Sequence, residues 1–209
     1  PDLVYVAATG HLYSENQERG VFKTTDGGRT WEKVFYINEK IGVIDLVMNP
    51  QNPNILYAAT YDKQRLPWMY VNGGPQSGIY KTTDGGKTWA KLGGGLPSGR
   101  IGRIGLDLCL KTPDIVYAVF ENANVRPPTK KEIDQDQARG LQPRERMIGG
   151  ELYRTADGGK TWTKMNSAED NVSSKGPYYF SQIRVDPNNE KNIFITGVSL
   201  ANSTDGGKT

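Results

Sequence analysis

The chain has 209 residues, of which 25 are glycine and 12 are proline, and only 36% of it is hydrophobic. That composition favours a turn-rich protein of thin sheets over a helical one. The net charge of +3 comes from interspersed basic and acidic side chains, which leaves no nucleic-acid footprint, and no apolar run approaches the ~20 residues of a membrane span.

In chain order, Pro1–Ala7 reads as the tail of a strand phrase. Thr9 to Gly20 is a connection that carries Tyr13, Glu15, Glu18, Arg19 and the single histidine, His11. One histidine gives a Ser-His-Asp triad or a histidine metal cluster nothing to stand on, and no metal or cofactor is expected. Val21–Trp31 then runs apolar-aromatic, Lys-Thr-Thr-Asp-Gly-Gly-Arg-Thr-Trp. Ile44–Ala59 reads as strand, Asn/Pro turn, strand. Tyr61 to Gly78 reads as a loop containing Arg65, Trp68 and Tyr70, an aromatic set with a nearby cation.

The phrases then recur. Ile79–Trp89 and Leu152–Trp162 repeat the Asp-Gly-Gly hairpin, and Asn202–Thr209 repeats it up to the residue before its tryptophan. Ile104–Val119 and Ile183–Ile195 repeat the strand-turn-strand phrase. The lone cysteine, Cys109, falls in the first of these and reads as a buried structural thiol. Glu121 to Gly150 is a charged insertion with Pro127-Pro128 and a short helix expected over Lys130 to Arg139.

The hairpin phrase has a physical reading. Glycine tolerates the positive φ of a tight turn, and the aspartate carboxylate accepts N–H groups within its own turn. The tryptophan starts the return strand, where its ring is expected to fill space between sheets. Asp26, Trp31, Asp84, Trp89, Asp157, Trp162 and Asp205 are therefore assigned to scaffold. Gly-Gly-Lys-Thr does not make a phosphate-binding loop. The position that needs the first glycine holds Lys23, Lys81, Arg154 or Asn202.

Each unit thus carries four short strands. Four-stranded antiparallel units repeated in this way are propeller blades. The expectation is an all-β, partial β-propeller over residues 1–209, with two full and two partial blades and the 121–150 insertion within it. Closure takes roughly 4–8 blades, so the array is expected to continue beyond this segment.

These phrases resemble the Asp-box, or bacterial neuraminidase repeat, pattern Ser/Thr-x-Asp-x-Gly-x-Thr-Trp. The matches are Thr24/Asp26/Gly28/Thr30/Trp31, Thr82/Asp84/Gly86/Thr88/Trp89, Thr155/Asp157/Gly159/Thr161/Trp162 and Ser203/Asp205/Gly207/Thr209. The resemblance extends to sialidases, xyloglucanases and sortilin-type propellers, and most to large secreted bacterial proteins of the sortilin-like and glycosidase-like groups. It implies a secreted or periplasmic protein. It implies no catalytic activity, because the boxes are scaffold.

Spacing separates scaffold from variable parts. From each second-strand aromatic (Tyr5, Tyr57, Tyr117, Phe194) to the next box aspartate the intervals are 21, 27, 40 and 11 residues. Variation therefore concentrates between strands two and three, on the face opposite the boxes, where binding is expected. Candidate ligand-binding residues there are Arg65, Trp68 and Tyr70, joined by Arg100, Arg103, Tyr178 and Tyr179 from the strand-four-to-one connections, which also carry Tyr36. The expected function is binding of a peptide, glycan or partner subunit. The alternative is a sialidase-like or xyloglucanase-like glycoside hydrolase with catalytic residues partly outside this segment. Asp45, Asp62 and Asp107 are the available carboxylates, the first and third lying in strands. The sialidase constellation cannot be assembled from the arginines and tyrosines present.

Overall fold

The computed structural model describes residues 1–167, 170–172 and 179–209. It is built from four successive antiparallel sheets. The first blade holds β1 (Val4–Ala8), β2 (Gly20–Thr24) and β3 (Glu32–Phe35). The second holds β4 (Ile41–Met48), β5 (Leu56–Leu66), β7 (Gly78–Thr82) and β8 (Ala90–Lys91), with β6 (Met69–Asn72) paired to the far end of β5. The third holds β9 (Ile101–Leu108), β10 (Val116–Arg126), β11 (Arg146–Thr155) and β12 (Thr163–Lys164). The fourth holds β13 (Gln182–Asp186), β14 (Asn189–Thr196) and β15 (Leu200–Ser203). The helix α1 spans Lys130–Ala138 in the β10–β11 connection, closed at its start by a Thr129–Glu132 capping box.

Each blade is a meander, so its apolar residues alternate onto two faces and must be covered by the neighbouring blades. The core accordingly lies in three layers between sheets. Val21, Phe35, Val43 and Ala58 pack between the first and second blades. Tyr57, Ile79, Ile104, Leu106, Phe120 and Trp162 pack between the second and third. Cys109, Tyr117, Leu152, Ile183 and Ile193 pack between the third and fourth.

The Asp-box hairpin owes its shape to one carboxylate. In the first copy Thr24 Oγ1 donates to Asp26 Oδ1 at 2.7 Å, Thr30 N donates to the same oxygen at 2.9 Å, and Thr30 Oγ1 donates to Oδ2 at 2.7 Å. Thr24 Oγ1 in turn accepts from Gly28 N at 3.0 Å. The same set recurs at Asp84, Asp157 and Asp205, with Ser203 in place of threonine in the last. The two glycines of the first box stand at φ +74° and +91°, so both need the left-handed region. Hydrogen bonds to the ionised form, led by Thr30, hold the Asp26 carboxyl at about 2. Those from Thr88 and Thr161, and from Ser203 and Thr209, hold Asp84, Asp157 and Asp205 well below the usual range.

Two of the tryptophans fill space between sheets as expected, and the first does not. Trp162 is buried at 5% exposure, Trp89 is half-buried, and Trp31 is 45% exposed. In all three the indole N–H donates to a glycine carbonyl of its own box, at 3.1–3.2 Å, and in Trp89 and Trp162 the residue also meets the outer part of the preceding blade. Trp89 Nε1 donates to Val34 O at 3.1 Å, and the ring lies 4.9 Å from Phe35 of the first blade. Trp162 N donates to Gly94 O at 2.7 Å, and the ring belongs to the core cluster against which Leu92 and Leu96, after β8, pack. Trp31 has no blade before it in this chain.

Candidate functional site

Box hairpins and the first turns of each blade lie at one end of the strands. The Gly27, Gly85, Gly158 and Gly206 amides donate to Asp2, Asn54, Asp114 and Lys191 carbonyls at 2.9–3.1 Å within their own blades. Tyr5, Tyr57 and Tyr117 hydroxyls reach the next blade, donating to Gly85, Gly158 and Glu190 carbonyls at 3.0, 3.0 and 2.9 Å. Burial pushes the Tyr57 hydroxyl up to about 12, so it remains a donor at any ordinary pH. This end of the molecule is therefore occupied by structural bonds.

The two strand carboxylates are scaffold as well. Asp45 Oδ2 accepts from Leu106 N of the next blade at 3.0 Å, and its Oδ1 accepts from Leu46 N at 3.0 Å. Asp107 repeats the arrangement one blade on, accepting from Val185 N at 2.8 Å and Leu108 N at 2.9 Å. An edge N–H facing another blade needs an acceptor, and a short acidic side chain supplies it. Burial raises Asp107, against the pull of these same bonds.

The opposite end differs. The segment from Tyr61 to Gly78, expected as a loop, is a β-ribbon. β5 continues past the end of β4 to Leu66, turns at Pro67-Trp68 and returns as β6, pairing Lys63 with Asn72 and Arg65 with Tyr70. Alternation continues along it: Tyr61 is buried, and its hydroxyl meets Tyr70 at 3.2 Å and donates to Asn72 Oδ1. The ribbon is fixed at its root by an isolated bridge, Gly74 N to Ile101 O at 3.0 Å, which sets it against β9 of the next blade.

Three of the candidate residues come together on this ribbon. Trp68 is at its tip and 81% exposed. The Arg65 guanidinium lies 5.7 Å from the Tyr70 ring centre. Arg100 is exposed and next to the residue that anchors the root, with its backbone N bonded to Asn124 Oδ1 at 3.0 Å. Arg103 departs from expectation. It is not in a connection but within β9, 7% exposed, where burial lowers its pKa against the charges of Asp45 and Tyr61. Tyr36 stands partly exposed with Lys33 Nζ 4.5 Å from its ring. Tyr179 is exposed just before β13. Tyr178 lies outside the described residues.

Sequence reasoning missed a buried polar cluster below the same face. Glu151 accepts from Asn122 Nδ2 at 2.7 Å and Lys164 Nζ at 2.6 Å, and lies 3.3 Å from the Tyr153 hydroxyl. Nothing in the repeat pattern marks these positions. Asp62 is half-buried, and burial raises its carboxyl against the opposing charges of Lys40 and Arg19.

A cavity of about 530 Å³ lies between the third and fourth blades, lined by Leu152, Asn166, Val172, Ile193 and Gly207 among others. It corresponds to the niche that Trp89 and Trp162 fill at the two preceding junctions, and so belongs to blade packing. Among the described residues no helix is long and apolar enough to cross a membrane.

The family model for the BNR/Asp-box repeat matches residues 80–91 and 153–164. No curated protein sequence matches the chain. Among solved structures it is similar to a GH74 enzyme of Niastella koreensis, with 21% identity and a TM-score of 0.64 over 98% of this chain and 27% of that one. It is similar to the GH74 xyloglucanase of Xanthomonas campestris, with 15% identity and a TM-score of 0.63 over 99% and 26%. It is also similar to an ancestral GH74 enzyme, with 18% identity and a TM-score of 0.53 over 99% and 23%. The chain spans about a quarter of the length of these enzymes. At such identities the likeness concerns the fold: the chain carries BNR/Asp-box repeats on a partial β-propeller.

Proposed function

We propose that this chain is part of an extracytoplasmic binding propeller whose peptide, glycan or partner-subunit ligand docks on the face opposite the Asp boxes. The observation that carries the reading is the β5–β6 ribbon, which holds Trp68 out in solvent beside the Arg65–Tyr70 pair. An indole so exposed adds little to folding, and tryptophan, tyrosine and arginine are the side chains that anchor interfaces. The scaffold is saturated at the box end, so variable connections at the other end are where recognition fits. Export is supported by the resemblance to secreted Asp-box proteins.

The test is a screen of the full chain against peptide and oligosaccharide arrays. Ligands of this face should weaken by about tenfold or more in Trp68→Ala and persist in Asp84→Asn. Ligands that ignore Trp68 and depend on the box end would overturn the reading.

A second reading, glycoside hydrolysis, is favoured by Asp62. Its carboxyl is raised by burial and is not tied to a neighbouring blade, as a general acid requires. The GH74 neighbours share the scaffold, and a second carboxylate would have to come from elsewhere in the whole protein. Release of reducing sugar from sialosides, xyloglucan or other β-glucans, abolished by Asp62→Asn, would establish it in place of pure binding.

A further inference from the structure

A cavity of about 90 Å³ opens at the root of the ribbon, where the first and second blades meet, with Leu12, Arg19, Gly42, Tyr61 and Lys63 in its wall. That wall is built in advance. Ile41 pairs with Asp62, which puts Lys40 opposite Lys63, and the 9–19 connection covers the β5 edge there. Arg19, 5% exposed, clamps the connection in place. Its Nη1 donates to Lys40 O at 3.1 Å, and its Nη2 donates to the His11 and Ser14 carbonyls, each at 3.2 Å. A Cβ on Gly42 would stand 2.7 Å from Thr9 Cα, so the blades meet there main chain to main chain.

The charges around the cavity are unbalanced. Lys63 is half-buried, its Nζ 5.8 Å from the Tyr61 ring centre, and it makes no hydrogen bond or ion pair among the described residues. Burial, then Arg65, Arg103 and Arg19, holds its ammonium below the ordinary range. Arg19 Nε is buried and has no acceptor among the described residues. The nearby carboxylates are committed elsewhere. Glu15 meets Lys40 and Gln64, each at 3.5 Å, Glu18 meets His11 Nε2 at 3.1 Å, and Asp62 faces Lys40 and Arg19. From Lys63 to Thr83 the sequence contains no acidic residue. A half-buried cation set among other cations lacks a counter-ion, and a bound anion supplies one.

We propose that this cavity is a subsite for one carboxylate group of the ligand, held by the Lys63 ammonium beside the Tyr61 ring, with the Arg19 guanidinium as a fixed positive wall. A carboxylate suits the cavity better than a phosphate. Both Nη atoms of Arg19 are spent on carbonyls, which leaves a single ammonium as the free charged donor, enough for a monoanion and too little for the oxygens of a phosphate. An acidic peptide and a sugar acid both carry such a group, and the remainder of either lies outside, along the ribbon. The proposal rests on the reading that this face binds a ligand.

Lys63 itself reports occupancy. The full chain is acylated briefly with an N-hydroxysuccinimide ester, and the modified lysines are mapped by mass spectrometry. The additions compared are acetate, acetamide, sodium chloride at matched ionic strength, and inorganic phosphate. Acetate should slow acylation of Lys63 saturably, by about tenfold, and leave the exposed Lys87 unchanged, while acetamide and chloride should protect neither. Arg65→Ala should weaken the protection about threefold. N-acetyl-glycylglycine and glucuronate then separate the two sources, the one that protects at lower concentration being favoured. Absence of protection overturns the proposal, as does equal protection by acetamide or chloride, equal protection of Lys87, or phosphate acting at lower concentration than acetate. The readout is on the unaltered chain, so it does not depend on a variant folding. An array ligand lost in Trp68→Ala but indifferent to Lys63→Met removes this proposal and leaves the broader reading standing. Acetate protection of Lys63 with every array ligand indifferent to Trp68 does the reverse.

Discussion

The hairpins at Asp26 and Asp157 have nearly the same sequence and the same internal bonds, yet one leaves its tryptophan 45% exposed and the other 5%. The carboxylate network of the box is complete within its own few residues, so it forms wherever the phrase occurs. The tryptophan depends on a neighbour. Trp162 sits in the core cluster against which Leu92 and Leu96 of the blade before pack, whereas Trp31 joins no buried cluster among the described residues. A repeat motif therefore contains two kinds of residue: one folds the hairpin, and the other joins blades.

The largest effect expected from that difference is at the buried ring. Trp162→Ala should cost about 3–5 kcal/mol, read as a shift in denaturant midpoint, while Trp31→Ala in the same segment should cost under about 1 kcal/mol. Equal losses would mean that the box tryptophans act within their own hairpins. Next comes the inter-blade carboxylate. Asp107→Ala leaves the Val185 amide of the fourth blade without its acceptor and should cost about 1–3 kcal/mol. Tyr57→Phe, which removes one inter-blade bond to Gly158, should cost about 1 kcal/mol.

The local half of the comparison predicts similarity instead. Asp26→Ala and Asp157→Ala should lower the midpoint by similar, smaller amounts, because each loses the same hydrogen bonds. A much larger loss at Asp157 would show that the box carboxylate also serves the blade junction. The boxes also fix an acid response. Their carboxyls are depressed in the folded chain, Asp26 to about 2, so the unfolded chain takes up protons first as pH falls. Their contribution is present above about pH 4 and lost as pH falls toward 2. Chemical denaturation across that window should show falling stability, and replacing one box aspartate by asparagine should flatten the slope.

Much of the candidate site was not legible in the sequence. Arg65, Trp68 and Tyr70 could be picked out as an aromatic-cation set, but Pro67-Trp68 reads as a loop, and only the pairing of Lys63–Leu66 with Met69–Asn72 makes it a ribbon. Arg103 looked like a connection residue because it closely follows Gly-Leu-Pro-Ser-Gly. Burial of Ile101, Gly102 and Ile104 on both faces places it inside a strand. Asp45 and Asp107 were ambiguous between chemistry and scaffold until the amides of Leu106 and Val185 were found opposite them.

The sequence by itself determined what short-range chemistry controls: the Asp-Gly-Gly turns, the carboxylate-centred hairpins, the strand-turn-strand phrases and their repetition as antiparallel units. Hydrogen bonds between residues two to four apart need no distant partner, so they can be read from spacing. The tertiary structure alone decided which tryptophans are buried, which carboxylates are occupied, and that Lys63 stands among arginines of the blades on either side. Each of these depends on what lies across a blade junction or beyond a strand's end, and at the junctions residues 55 to 78 apart in the chain supply the bonds.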